Sequence, residues 1–252
     1  MRTALTAAAL AALAAVVNLS GCASGAPAAD ALSGADVVLL GERHDDAGHQ
    51  RHHRDIVQSL AARGRLAALA IEMAEQGRST AGLPRNAEEG EVRAALNWNE
   101  DAWPWRAYGP AVMAAVTAGV PVLGANLPRD RMREAMGDAS LDDTLDATTL
   151  AAQREAIRTG HCDLLPQQQL APMTRVQIAR DRAMAQTLVR AAVPGRSVLL
   201  VAGAGHVSPD LGVPRHLPPA LAVKPLVLPP SGPAGASAPD YCAELRERMQ
   251  RR

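Results

Sequence analysis

The 252-residue chain carries 26 basic and 26 acidic side chains, for a formal net charge of zero. That balance excludes electrostatic steering toward nucleic acid or an acidic surface. Phe is absent, so the core must be built from Leu, Val, Ala, Ile and Met.

Residues 1–21 read as a lipoprotein signal peptide. Arg2 is a minimal positive region, and an uncharged run rich in Ala, Leu and Val extends from Ala4 to Val17. That run falls short of the roughly 20 apolar residues that a membrane span needs. It ends in Leu19-Ser20-Gly21-Cys22, which resembles the lipobox cut by lipoprotein signal peptidase, with the Cys22 thiol as lipid acceptor. The alternative is an ordinary signal peptide, or a buried helix, with a chance cysteine. Ala23 rather than Asp follows Cys22, which predicts the outer membrane, lipid-anchored, with the side it faces left open. Residues 22–34 are small and polar and suit a tether. No later apolar run is long enough to span a membrane.

Without the leader, about 230 residues remain, enough for one domain with a sizeable core. Asp36–Leu40 reads as a strand buried on both faces. Ala47–Arg63 reads as a helix whose apolar stripe is Ile56, Val57 and Leu60, extended N-terminally by His49, His52 and His53. Leu66–Met73 is a second buried strand, closing on Glu72. Residues 75–90 form a loop and Glu91–Leu96 a short helix. Trp98, Trp103, Trp105 and Tyr108 then cluster, leaving Tyr241 as the one aromatic elsewhere. A helix over Tyr108–Gly119 leads to a third strand, Val122–Ala125. Helical segments fill 129–158, and a longer helix covers Met173–Ala192. The fourth strand is Ser197–Ala202 and the last Ala222–Leu228. Residues 229–252 form a linker and C-terminal tail. Strands alternating with helices predict an α/β fold: a mainly parallel central sheet flanked by helices, in a single domain over residues 35–228.

Open parallel sheets bind ligands outside the carboxyl ends of their strands. Here those ends carry Glu42 and His44, then Glu72, Asn126 and His206. Two carboxylates, two imidazoles and an amide at one edge are costly to bury unless they pair, bind a metal or meet a ligand. Gly41-Glu42-Arg43-His44 and Gly203-Ala204-Gly205-His206 make the same turn twice, each glycine letting the chain leave its strand tightly. His44, His206, Glu42 and Glu72 form a candidate divalent transition-metal set. Secondary candidates are His49, Trp105, Tyr108, Arg180 and Asp181. Cys162 and Cys242 remain once Cys22 is lipidated. An oxidising compartment and an even count favour a disulfide between them, with two free thiols as the alternative.

The run Leu39-Leu40-Gly41-Glu42-Arg43-His44-Asp45-Asp46 with His49 resembles the start of the ChaN family, haem-binding-uptake lipoproteins of the Tiki/ChaN superfamily. Further matches follow in the family's order: Ile71-Glu72-Met73, Trp105-Arg106-Ala107-Tyr108-Gly109-Pro110, Gly119-Val120-Pro121-Val122-Leu123 and Gly124-Ala125-Asn126-Leu127-Pro128-Arg129. After these come His161-Cys162, Arg180-Asp181-Arg182-Ala183-Met184-Ala185, Gly203-Ala204-Gly205-His206-Val207 and Gly212-Val213-Pro214. Gln50 departs from the pattern, standing where a second His is expected.

The resemblance implies an α/β fold and a part in haem or iron uptake, with haem bound at a surface that can form a homodimer. Related branches of the superfamily are metal-dependent peptidases and erythromycin-esterase-like hydrolases. The first reading is therefore a lipid-anchored haem-binding protein, with the aromatic cluster as the porphyrin wall and Tyr108 or a histidine as axial ligand. The alternative is a metal-dependent hydrolase at the strand-end His/Glu site. A serine hydrolase fits poorly, since no Gly-x-Ser-x-Gly elbow is present.

Overall fold

A computed structural model describes residues 32–231 and 241–250. The expected signal peptide, the expected lipidation site at Cys22, most of the expected tether and part of the C-terminal linker lie outside the described residues.

Five strands form the sheet in the order β3-β2-β4-β1-β5, where β1 is Val37–Glu42, β2 Leu66–Glu75, β3 Val122–Asn126, β4 Ser197–Gly203 and β5 Val223–Val227. Every ladder between these strands is parallel, as the alternation of strands and helices requires. Between them run α1 (Ala47–Ala62), α2 (Glu89–Ala95), α3 (Trp105–Thr117), α4 (Arg129–Gly137), α5 (Ala147–Gly160) and α6 (Gln167–Ala191), with α7 (Tyr241–Gln250) at the end.

Period-two alternation divides each central strand between two cores. Val38 and Leu40 of β1, Leu69 and Ile71 of β2, and Leu199 and Val201 of β4 pack with Ile56, Val57 and Leu60 of α1 and with Val112 and Val116 of α3. Val37, Leu39, Ala68, Ala70, Val198 and Leu200 pack on the opposite face with Met184, Ala185 and Leu188 of α6. The strands therefore read as unbroken apolar runs, and each buried Leu or Val side chain contributes roughly 1.5–3 kcal/mol.

Local signals place the ends. Asp46 caps α1 by accepting from the backbone N–H of Gly48 and His49. Helix α3 starts at Trp105, directly after Pro104, so two of the clustered aromatics are helical. Helix α6 starts at Gln167, ahead of the expected Met173, and carries Pro172 inside it; in the second turn the proline forfeits a single backbone donor. Strand β2 runs on to Glu75, so Glu72 lies within the strand rather than at its end. Beyond Ile71 the β2–β3 register shifts, an irregularity of the kind that re-aims a side chain. A disulfide joins Cys162 to Cys242 and ties α7 to the turn after α5, with the Cα atoms 5.4 Å apart.

Candidate functional site

The alternation that splits the core also splits the two strand carboxylates. Glu42 shares the parity of Leu40 and faces α1 and α3; Glu72 shares that of Ala70 and faces α6. Their side chains are 0% and 3% exposed.

On the first face, Glu42 Oε1 accepts from the Tyr108 hydroxyl at 2.8 Å and from His44 Nδ1 at 2.7 Å. Its Oε2 lies 3.3 Å from Nε2 of His53, a buried residue of α1. On the second face, Glu72 Oε1 accepts from Arg180 Nη2 at 2.8 Å and lies 3.4 Å from His206 Nε2. Its Oε2 accepts the Gly203 backbone N–H at 2.8 Å. The other nitrogen of His206, Nδ1, meets Asp181 Oδ1 at 2.6 Å. Arg180 also donates through Nε to Asn126 Oδ1 at 2.8 Å, and Asn126 Nδ2 donates to the Glu72 carbonyl at 2.9 Å. His44 joins the two halves: its Nε2 reaches to 3.7 Å from Glu72 Oε2.

The network sets the charges. Burial opposes ionisation of His206, but the Glu72 and Asp181 carboxylates outweigh it and push the ring up to about 10. Burial likewise opposes charge on Glu72, and His206, Arg180 and His44 hold it well below the usual carboxylate range. His44 is raised: burial is overcome by the Glu42 hydrogen bond and the charges of Glu72 and Glu42. Burial and the Glu42 charge lift the Tyr108 hydroxyl far above the ordinary phenol range. His53 is driven down to about 3 by burial, with His49, His52 and His44 adding like-charge repulsion.

All five strand-end candidates (Glu42, His44, Glu72, Asn126 and His206) thus meet in one network, together with Tyr108, Arg180 and Asp181. Two secondary candidates stand apart. His49 accepts the Arg43 N–H on Nδ1 at 2.9 Å and points Nε2 at the Pro229 carbonyl, 2.8 Å away, pinning the chain beyond β5 to the start of α1. Trp105 is buried against Trp98, ring centroids 4.9 Å apart, and donates to Glu89.

His53 and Gln177, whose amide lies 3.1 Å from His206 Nδ1, join the network although neither stands among the candidates. His53 carries a signal in its helical phase, on the stripe of Ile56, Val57 and Leu60. Gln177 stands four residues before Asp181, and so on the same helical face.

A cleft of about 590 Å³ opens beside His44. Trp103, Pro104, Ala107, Tyr108 and Pro110 contribute to one wall, and Arg51, Arg54 and Arg106 bring positive charge. Trp103 stands edge-on to the His44 ring, centroids 4.9 Å apart. A smaller cleft of about 250 Å³, lined by Glu72, Asn97, Asn99, Asn126, Arg129 and Arg180, shares Trp103 with the first.

A family model described as haem-binding uptake, Tiki superfamily, ChaN, matches residues 28–217. The chain belongs to this family. A solved structure described as cofacial heme binding to ChaN of Campylobacter jejuni is similar to this chain. It is 25% identical, with a TM-score of 0.66 over 79% of this chain and 83% of that one. No curated protein matches.

Haem, the cofactor that ChaN membership implies, would meet suitable groups in the larger cleft. The His44 side chain is 39% exposed and its Nε2 makes no normal hydrogen bond, while an aromatic wall and guanidinium groups stand close by. A divalent metal finds a poorer set. Among the described residues, no group of three or more His, Cys, Asp or Glu side chains is arranged to hold an ion. Glu42, His44, Glu72 and His206 are brought together, but Glu42 Oε1 is taken by Tyr108 and His44, the Glu72 oxygens by Arg180 and Gly203, and both ring nitrogens of His206 face carboxylates.

Proposed function

We propose that this protein is a lipid-anchored haem carrier that takes up haem in the cleft beside His44 and serves haem or iron acquisition. The observation that carries this reading is the partly exposed His44 side chain on a cleft walled by Trp103 and bordered by three arginines. Trp103, Pro104, Ala107 and Pro110 would cover a porphyrin face, which is apolar. Arg51, Arg54 and Arg106 suit its propionates. His44 would be better placed to hold the iron than Tyr108, whose hydroxyl is buried and donated to Glu42. Haem would supply a redox-active iron; the protein holds it and shields it from water. Family membership and the likeness to a ChaN protein that binds haem cofacially support the reading, and a homodimer bringing two such clefts together extends it.

In this reading residues 1–21 are a signal peptide, Cys22 bears the lipid at the outer membrane, 22–34 are the tether, 35–228 the haem-binding domain and 229–252 linker and tail.

Hydrolysis at the same edge is the second reading, favoured by the Glu42-oriented imidazole of His44 beside a polar cleft. The engagement of Glu72 by Arg180 and Gly203, and of His206 by Glu72 and Asp181, weighs against a metal-dependent version.

A haemin titration followed by absorbance, with metal analysis of the same preparation, separates the readings. A saturable Soret shift lost in His44→Ala is the expected result. A non-saturating titration, with ester or peptide cleavage lost in His44→Ala, would replace the carrier by the hydrolase.

A further inference from the structure

We infer that Glu42 is a positioning residue that fixes the tautomer and donor strength of His44, and that Tyr108 and His53 hold it in place from two different helices. The inference rests on the haem reading only for its last step, the identity of the group that His44 meets.

Glu42 ends β1 on the face covered by α1 and α3, with its side chain fully buried. A buried carboxylate is expensive unless its oxygens are engaged. Oε1 accepts twice, from the Tyr108 hydroxyl of α3 and from His44 Nδ1. Oε2 faces His53 Nε2 of α1 at 3.3 Å, and neither atom makes a hydrogen bond among the described residues. His44 and Tyr108 are the members of this group that also line the open cleft, and the Tyr108 hydroxyl is spent on Glu42.

A carboxylate only accepts, so the 2.7 Å contact requires the proton on His44 Nδ1. In the neutral ring the lone pair then lies on Nε2. That nitrogen stands 3.7 Å from Glu72 Oε2, beyond hydrogen-bond range, and the ring that carries it lines the cleft with its side chain 39% exposed. A carboxylate on the far nitrogen makes an imidazole a more basic ligand and fixes its orientation. Tyr108 moderates the effect, because its hydroxyl draws charge from the same oxygen that His44 uses.

This arrangement makes opposite predictions for two conservative variants. In Glu42→Gln the ring keeps a hydrogen-bond acceptor and loses the charge. Ferric haemin should bind about tenfold more weakly, and the reduction potential of the bound haem should rise. In Tyr108→Phe the Glu42 oxygen is left to His44 alone, and the potential should fall. A merely structural role for Glu42 would move both variants in the same direction, or neither, and either result would overturn the inference.

The tautomer is read without haem, from ¹⁵N spectra of the labelled apoprotein at a pH where the ring is neutral, with His44 assigned by its loss in His44→Ala. The expected spectrum has Nδ1 protonated and Nε2 bare, with the Nε2 shift moved by Glu42→Gln. A proton on Nε2, or no response to that substitution, sinks the proposal. Failure of haemin to bind the wild-type protein, with the expected apoprotein spectra, would instead remove only the haem reading.

Discussion

Glu42 and Glu72 stand on opposite faces of one sheet, and the His44 ring contacts both across the end of the strand between them. That strand is β4, and at its last position is Gly203. A Cβ built on Gly203 would come within 2.8 Å of His44 Nε2 and 3.6 Å of Glu72 Oε2. The backbone there has φ −57°, which any residue can adopt. The glycine is therefore required for space, and the space is what lets one imidazole join two carboxylates.

Gly203→Ala follows directly. The methyl group should displace the His44 ring and cost about 1–3 kcal/mol through overpacking. Haemin titration should show weakened binding in a protein that still unfolds cooperatively in urea. Unchanged binding would mean that the ring does not depend on this gap.

Arg180 is the guanidinium on Glu72, 2.8 Å away. Arg180→Met removes the partner and leaves the buried carboxylate with less compensation for its charge. Breaking such a pair costs about 3 kcal/mol when one partner keeps some solvent contact, and the urea midpoint should drop accordingly. The double variant Arg180→Met with Glu72→Gln should recover part of the loss; no recovery would argue that Arg180 acts through packing alone.

Stability should fall at both ends of the pH scale for separate reasons. His206, raised to about 10 by Glu72 and Asp181 against the opposing effect of burial, binds its proton more tightly when folded. Its contribution is complete below its ordinary value of 6.5 and is lost as pH rises through about 10. His53, lowered to about 3 chiefly by burial, is held neutral. Its contribution is present above 6.5 and is lost as pH falls toward about 3. Denaturation midpoints measured across this range should show His206→Gln flattening the alkaline limb and His53→Leu the acid limb.

The disulfide closes a loop with a sequence separation of 80. Chain entropy assigns such a closure about 4–5 kcal/mol. Cys242→Ser, or a reductant, should lower the unfolding free energy by up to that amount, while haemin binding at the His44 cleft, which neither cysteine lines, persists. A variant as stable as wild type would show that α7 contributes no constraint to the unfolded chain.

Much of the architecture was legible in the residues. Apolar runs such as Val37–Leu40 and Leu199–Val201 announce buried parallel strands, because both their faces are covered and neither needs a polar side chain. The five strand-end residues could be named for the complementary reason: Glu42, His44, Glu72, Asn126 and His206 are polar groups placed where an apolar run should continue or has just stopped. His49 shows the limit of that logic. Its spacing suits a ligand, yet it fastens the Arg43 N–H to the Pro229 carbonyl, a partner 180 positions away that no local pattern indicates.

The sequence by itself therefore determined the fold class, the edge at which polar groups gather and the family, since these rest on short-range periodicity and on motifs in order. Tertiary structure alone decided which groups pair. Glu42 went to Tyr108 and His53, Glu72 to Arg180 and His206, because strand parity sends the two carboxylates to opposite faces and each face is covered by different helices. It also decided that the His44 ring reaches the cleft with a nitrogen that takes no hydrogen bond among the described residues, while the Tyr108 hydroxyl is spent on Glu42: the imidazole lies over the gap at Gly203.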